Sequence, residues 1–118
     1  MSATLEERKR RKAETTRIRE KFPDRIPIWV DRAPKATTDT PTIDRNKYLV
    51  PHDLTVGQFM WVIRRRLHLK PNQTIYMFLG QHMAIAPHTH LMSMVAKEHT
   101  DAETGYLHVY YSFEDYFG

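Results

Sequence analysis

The sequence predicts an α+β domain in which one sheet wraps around a central helix, and three observations lead there. Along 118 residues the local signals run helix, strand, strand, helix, strand, short helix, strand. A segment opening at Thr55 has a helix start signal followed by an apolar stripe at helical spacing. The last stretch, residues 106–111, is apolar on both faces, so a layer is expected on each side of it.

The first helix follows from Thr4-Leu5-Glu6-Glu7, where the threonine hydroxyl and a glutamate carboxylate can satisfy the amides left free at a helix start. It should run, continuous or interrupted, to about Phe22, because Pro23 disfavours helical geometry in the residue before it. Only Leu5, Ala13, Ile18 and Phe22 are apolar, so this helix must lean on another surface. Ile26-Pro27-Ile28-Trp29-Val30 is β-branched and aromatic and reads as a strand. Residues 33–46, rich in Pro, Thr, Asp and Asn, read as connection. Lys47-Tyr48-Leu49-Val50-Pro51 is a second strand, and its closing proline points to a sheet edge.

Thr55-Val56-Gly57-Gln58 is a second capping box. The helix it opens should end near Leu69-Lys70-Pro71, with Val56, Met60, Ile63 and Leu67 forming the core-facing stripe. Phe59, Val62 and Arg66 form a second line beside it, spare for a ligand or a second packing surface. Residues 74–79 are a third strand, followed by the turn residues Gly80-Gln81. Thr89 is expected to cap a short helix to about Glu98, with Leu91, Met94 and Val95 inward. In the final strand Leu107, Val109 and Tyr111 face one way and Tyr106, His108 and Tyr110 the other. One face suits the central helix and the other the N-terminal helix.

Composition narrows the chemistry. With no cysteine there is no disulfide, thiolate metal site or cysteine nucleophile, and a reducing, cytoplasmic setting is the expectation. Apolar runs such as residues 60–63 are far shorter than the ~20 residues that span a bilayer. Of the formal +4 charge, all belongs to residues 1–25, which hold nine Lys or Arg against five acids. Such an arm suits phosphate, anionic lipid or an acidic protein partner, and it equally suits a solvated helix face. His88 and His90 with His82 nearby lack the three or four convergent ligands a zinc site needs. His52, Asp53 and Ser112 lack the nucleophile elbow of a hydrolase. No enzyme activity and no metal are therefore expected.

Five segments carry a resemblance: residues 23–27 (PDRIP), 47–51 (KYLVP), 53–59 (DLTVGQF), 63–67 (IRRRL) and the ending Tyr116-Phe117-Gly118. Together they resemble the autophagy ubiquitin-like modifiers, the family of the GABA-receptor-associated protein and microtubule-associated light chain three. The resemblance implies a ubiquitin-like β-grasp over residues 26–111. It also implies two additional N-terminal helices within residues 1–25 and a flexible conjugation tail at 112–118.

In function, the resemblance implies a tag rather than an enzyme. Gly118 would be exposed by a cysteine protease, activated and passed as a thioester between partner enzymes, and joined to phosphatidylethanolamine, the only group the protein would carry. The two acyl chains of such a conjugate hold a protein firmly at a membrane where one chain would not. The protein would be cytoplasmic, and on the autophagosome membrane when lipidated.

Partners bearing an aromatic-x-x-aliphatic motif would add a strand to the sheet edge. By position, the aromatic pocket resembles Glu14, Ile18, Pro27, Trp29, Lys47, Leu49 and Tyr106. The aliphatic pocket resembles Tyr48, Val50, Pro51, Leu54, Phe59, Val62 and Arg66, with Arg25 nearby. Trp29 stands where the family usually has a smaller aliphatic residue, and Tyr106 where it usually has phenylalanine. A monomer is expected. Tubulin's acidic tails would suit the basic arm. The rival class, a nucleic-acid module using Arg8–Lys12 and Arg64–Arg66, lacks an aromatic-basic RNA-binding signature and is not expected.

Overall fold

The computed structural model describes residues 3–36 and 39–113. The elements are α1 (Leu5–Lys21), β1 (Arg25–Arg32), β2 (Lys47–Pro51), α2 (Val56–Arg66), β3 (Tyr76–Leu79), α3 (Met92–His99) and β4 (Leu107–Ser112). The four strands form one mixed sheet in the order β2-β1-β4-β3, with β1 parallel to β4 and the outer pairs antiparallel. A parallel central pair needs a crossover, and the connection through β2, α2, β3 and α3 supplies it.

The alternation of β1 and β4 sorts the two layers. Ile28, Val30, Leu107, Val109 and Tyr111 are buried together with Val56, Phe59 and Ile63 of α2 and with Met92 and Val95 of α3. On the opposite face Trp29 and Tyr106 meet α1. The central helix thus covers one side of the sheet and the N-terminal helix the other, as the doubly apolar final strand requires.

Thr55 caps α2 with both bonds of its box, its hydroxyl accepting from Gln58 N–H at 3.1 Å and its own N–H donating to Gln58 Oε1 at 2.9 Å. Thr4 caps α1 by accepting from Glu7 N–H at 3.2 Å. The connection after β1 is tied to the core by Tyr111, whose hydroxyl donates to the Pro41 carbonyl at 2.6 Å and accepts from Ile43 N–H at 2.8 Å. Ile43 is buried as a result.

Four expectations are corrected. Where two N-terminal helices were implied, α1 is one unbroken helix of 17 residues. Phe22 ends it, its N–H bonding back to the Ile18 carbonyl ahead of Pro23. Thr89 does not cap α3: His90 N–H turns back to the Pro87 carbonyl, and Leu91, bridged to Thr55, takes the cap position without a side-chain bond. Helix α3 accordingly buries Met92 and Val95 and leaves Met94 48% exposed. Phe59 is not spare surface, being 0% exposed in the core. At ~100° per residue Phe59 falls about 60° from Val56, inside the buried arc of α2, whereas Val62 and Arg66 of the same line lie outside it and are exposed.

Candidate functional site

Strand β2 is an edge, with β1 on one side and no strand on the other among the described residues. The Val30 N–H bonds to the Asn46 carbonyl at 2.8 Å, and this sets the antiparallel alternation. Residues 46, 48 and 50 therefore bond inward to β1. The N–H and C=O groups of Lys47 and Leu49 point to the open edge, while Pro51 has no N–H and its carbonyl accepts from Leu54 N–H at 3.2 Å. The side chain of Arg45 reaches back to this edge, its Nε donating to the Lys47 carbonyl at 3.1 Å.

The same alternation divides the side chains expected to form two pockets. Tyr48 and Val50 lie on the α2 side, Tyr48 edge-on to Phe59 with ring centroids 5.6 Å apart and Val50 within the core. Burial pushes the Tyr48 hydroxyl up in pKa, against the pull of the nearby Arg66 and Arg45 cations. Val62, 38% exposed, lines a cavity of about 350 Å³ with Arg66, Asp44, Arg65 and His68. Arg66 Nε pairs with Asp44 at 2.8 Å. Leu54 packs against the core, and its carbonyl accepts from Met92 N–H at 2.7 Å. Arg25, expected near this group, stands opposite exposed Pro51 at the start of β1.

On the α1 side, Lys47 is paired in register with Trp29 and Leu49 with Pro27. Glu14 of α1 joins the group: its carboxylate accepts from the Tyr106 hydroxyl and pairs with Lys47 Nζ at 3.1 Å. Burial alone would raise the Glu14 carboxyl, but these two donors outweigh it and hold it below its usual range. The Tyr106 hydroxyl is pushed well up by its burial and by the carboxylate it faces. Ile18 is half-buried one turn further along α1.

Trp29 sits among these residues. Its ring meets Tyr106 edge-on at 5.4 Å and 71°, and the Arg11 guanidinium lies 3.7 Å from the centre of its face. Its indole N–H donates to Asp31 Oδ2 at 2.9 Å, while Asp31 Oδ1 accepts from Asn46 at 3.0 Å. Burial raises the Asp31 carboxyl despite those hydrogen bonds.

The sequence reading brought together both sets of residues but missed Arg11 and Asp31, which hold Trp29 in place. An arginine in an exposed-looking basic run carries no local sign that it will stack on a residue of β1. It also missed Thr15, buried in α1, whose hydroxyl donates to the Thr104 carbonyl at 2.9 Å. Gly118 lies outside the described residues.

Among the described residues no group of three or more His, Asp or Glu is placed to hold a metal ion. Ser112 is on β4, separated from the β2 end that carries His52 by β1. Several arginines of the basic runs are engaged internally: Arg8 with Glu103, Arg11 with Trp29, and Arg64 with the Gln73 and Lys70 carbonyls. No described helix is long and apolar enough to cross a membrane.

A mixed four-stranded sheet with a parallel central pair, covered on one face by α2, defines a ubiquitin-like β-grasp protein. The family model described as "Autophagy protein Atg8 ubiquitin like" matches residues 10–118. Autophagy-related protein 8d of Arabidopsis thaliana is 50% identical over 109 residues, covering 92% of this chain and 87% of that protein. Autophagy-related protein 8 of Mycosarcoma maydis is 52% identical over 110 residues, covering 92% and 88%. The crystal structure of Trypanosoma brucei ATG8 superposes with a TM-score of 0.76 at 34% identity, covering 95% of this chain and 90% of that one. The chain belongs to the Atg8 family of ubiquitin-like autophagy proteins.

Proposed function

We propose that this ubiquitin-like autophagy protein acts as a membrane-attached tag, with two working parts. Its C-terminal Gly118 is joined to the amine of phosphatidylethanolamine, and its β2 edge recruits partners with an aromatic-x-x-aliphatic segment. The observation that carries the recruiting half is the open edge at Lys47 and Leu49, flanked on its two faces by the side-chain clusters around Trp29 and Val62. An extended peptide gains main-chain hydrogen bonds at such an edge and places alternate side chains on either face.

The conjugating half rests on family membership and on the glycine that stands at position 118. The chain has no cysteine, so the thiols of the cascade belong to its partners: a processing cysteine protease and the activating and conjugating enzymes. In the final step the ethanolamine nitrogen attacks the Gly118 carbonyl carbon of a thioester. An amide bond forms, the enzyme's thiol leaves, and the amine's proton is lost to solvent or a base of that enzyme. The lipidated form is then held at autophagosomal membranes by two acyl chains. Exposed Lys9, Arg10, Lys12 and Arg17 of α1 remain available to an acidic partner such as tubulin's tails.

The test is the intact mass of the protein recovered from cell membranes, for wild type and Gly118→Ala. A phosphatidylethanolamine-sized gain on the C-terminal peptide of the wild type alone is the expected result. No gain in fed or starved cells would overturn conjugation and leave a soluble binding module.

A further inference from the structure

We infer that Trp29 is a built-in occupant of the aromatic pocket, so that this chain recognises the aliphatic end of a motif and ignores its aromatic end. The inference deepens the docking reading above and rests on it for the peptide arm only. Three features of the site carry it.

First, the indole fills the space that a partner's aromatic ring would need. It lies edge-on against the Tyr106 ring, centroids 5.4 Å apart, so the Tyr106 contact that an incoming ring could make is already taken. Second, its orientation is fixed at both ends. The indole N–H is held by Asp31, and one ring face is covered by the Arg11 guanidinium at 3.7 Å, with Lys47 Nζ at 5.7 Å. The stacked, partly desolvated cation and the hydrogen bond to the Asp31 carboxylate act on the same ring and hold it together. Third, the polar rim is already satisfied from within, because Glu14 accepts from both Tyr106 and Lys47. An incoming aromatic residue would have to break the Arg11 stack and the Asp31 bond together.

The α2 side of the edge is different. Val62 is 38% exposed beside an open cavity of about 350 Å³, whose lining among the described residues is Asp44, Val62, Arg65, Arg66 and His68, with no tryptophan, tyrosine or phenylalanine. The edge N–H and C=O groups of Leu49 are likewise unobstructed by Trp29, which lies on one face of the sheet and not in its plane. Peptides with an aliphatic anchor and a short side chain at the aromatic position therefore fit as well as those carrying a ring.

Calorimetry with the full chain and two synthetic peptides tests this, one Asp-Asp-Phe-x-x-Leu in its core and the other with Phe replaced by Ala. The wild type should bind both within about twofold. Trp29→Val should bind the Phe peptide about 30-fold more tightly than the Ala peptide, the discrimination expected of an aromatic hot spot. A wild type that itself prefers the Phe peptide tenfold or more overturns the proposal, and that arm needs no variant to fold. Free indole, followed by NMR on both proteins, separates the plug from the docking reading. If neither protein binds any peptide, docking fails. Indole shifting pocket resonances only in Trp29→Val would still establish the plug. Equal indole binding by both proteins, or by neither, would refute it.

Discussion

Gly105 and Thr15 are pressed together where α1 meets the turn before β4: a methyl carbon added to Gly105 would lie 2.0 Å from Thr15 Oγ1. The same glycine has φ +73°, and its carbonyl accepts from the Arg19 side chain at 2.7 Å. Helix α1 is poor in apolar residues, so it docks through these close polar contacts and not through a greasy stripe. That docking is what sets Arg11 and Glu14 over the β1–β2 pair.

Gly105→Ala should therefore destabilise on two counts. The left-handed backbone costs a non-glycine residue about 1–3 kcal/mol, and the collision with Thr15 adds to it. Thermal melts should show a fall of several degrees. Adding Thr15→Ala should recover part of it, because the hydroxyl is removed while Cβ, at 2.8 Å, still crowds the new methyl. Strict additivity of the two substitutions would contradict this packing.

Phe59→Ala and Val62→Ser should separate core from surface. Phe59 is fully buried, so its truncation should cost about 3–5 kcal/mol of stability whatever it does to binding. Val62 is more than a third exposed, and Val62→Ser should leave the melting temperature nearly unchanged. The serine variant should nevertheless weaken binding of an aliphatic-anchored peptide about five- to tenfold, measured by calorimetry, from ~1 kcal/mol of lost apolar contact. Unchanged affinity would remove Val62 from the docking surface.

Much of this site is legible in the sequence, and the exceptions share a physical cause. Pro51 and the alternation of residues 47–51 mark β2 as an edge because they are local features of one strand. The Thr55–Gln58 box marks the start of α2 for the same reason. The burial of Thr15, the stacking of Arg11 on Trp29 and the Glu14 contacts to Tyr106 and Lys47 each join residues from different elements. No periodicity records such pairings. Phe59 was misread because its stripe and that of Val56 and Ile63 differ by less than the width of the buried arc. Trp29 stands out in the sequence as an unusual residue, but only the position of α1 brings Arg11 onto its ring.

Alkali should weaken the fold through Tyr106. Its hydroxyl is raised above the usual tyrosine value, by burial first and then by the Glu14 carboxylate. Above about pH 10 the unfolded chain loses this proton while the folded protein keeps it, so stability falls as pH rises, by up to about 1.4 kcal/mol per pH unit for this one group. Tyr48, Tyr110 and Tyr111, also raised chiefly by burial, add to the slope. In melts between pH 9 and 11, Tyr106→Phe should flatten part of the dependence. A variant with the wild-type slope would show that Tyr106 is not held as its own proton's donor to Glu14.

The edge itself can be tested with one substitution that spares the sheet. The Leu49 N–H points away from β1, so Leu49→Pro removes a donor that no ladder bond within the sheet uses. Edge strands tolerate proline where the N–H faces outward, and Pro51 already occupies the equivalent outward position two residues on. The ring also favours extended backbone in Tyr48 before it, which is what β2 requires. The variant should keep the wild-type circular dichroism spectrum, with the melting temperature lowered only modestly. Its affinity for an extended peptide should drop about tenfold or more, since the peptide loses a main-chain hydrogen bond and meets a ring where it needs to approach closely. If Leu49→Pro binds as the wild type does, the partner does not add a strand at β2, and the peptide lies across the α2 surface near Val62 instead.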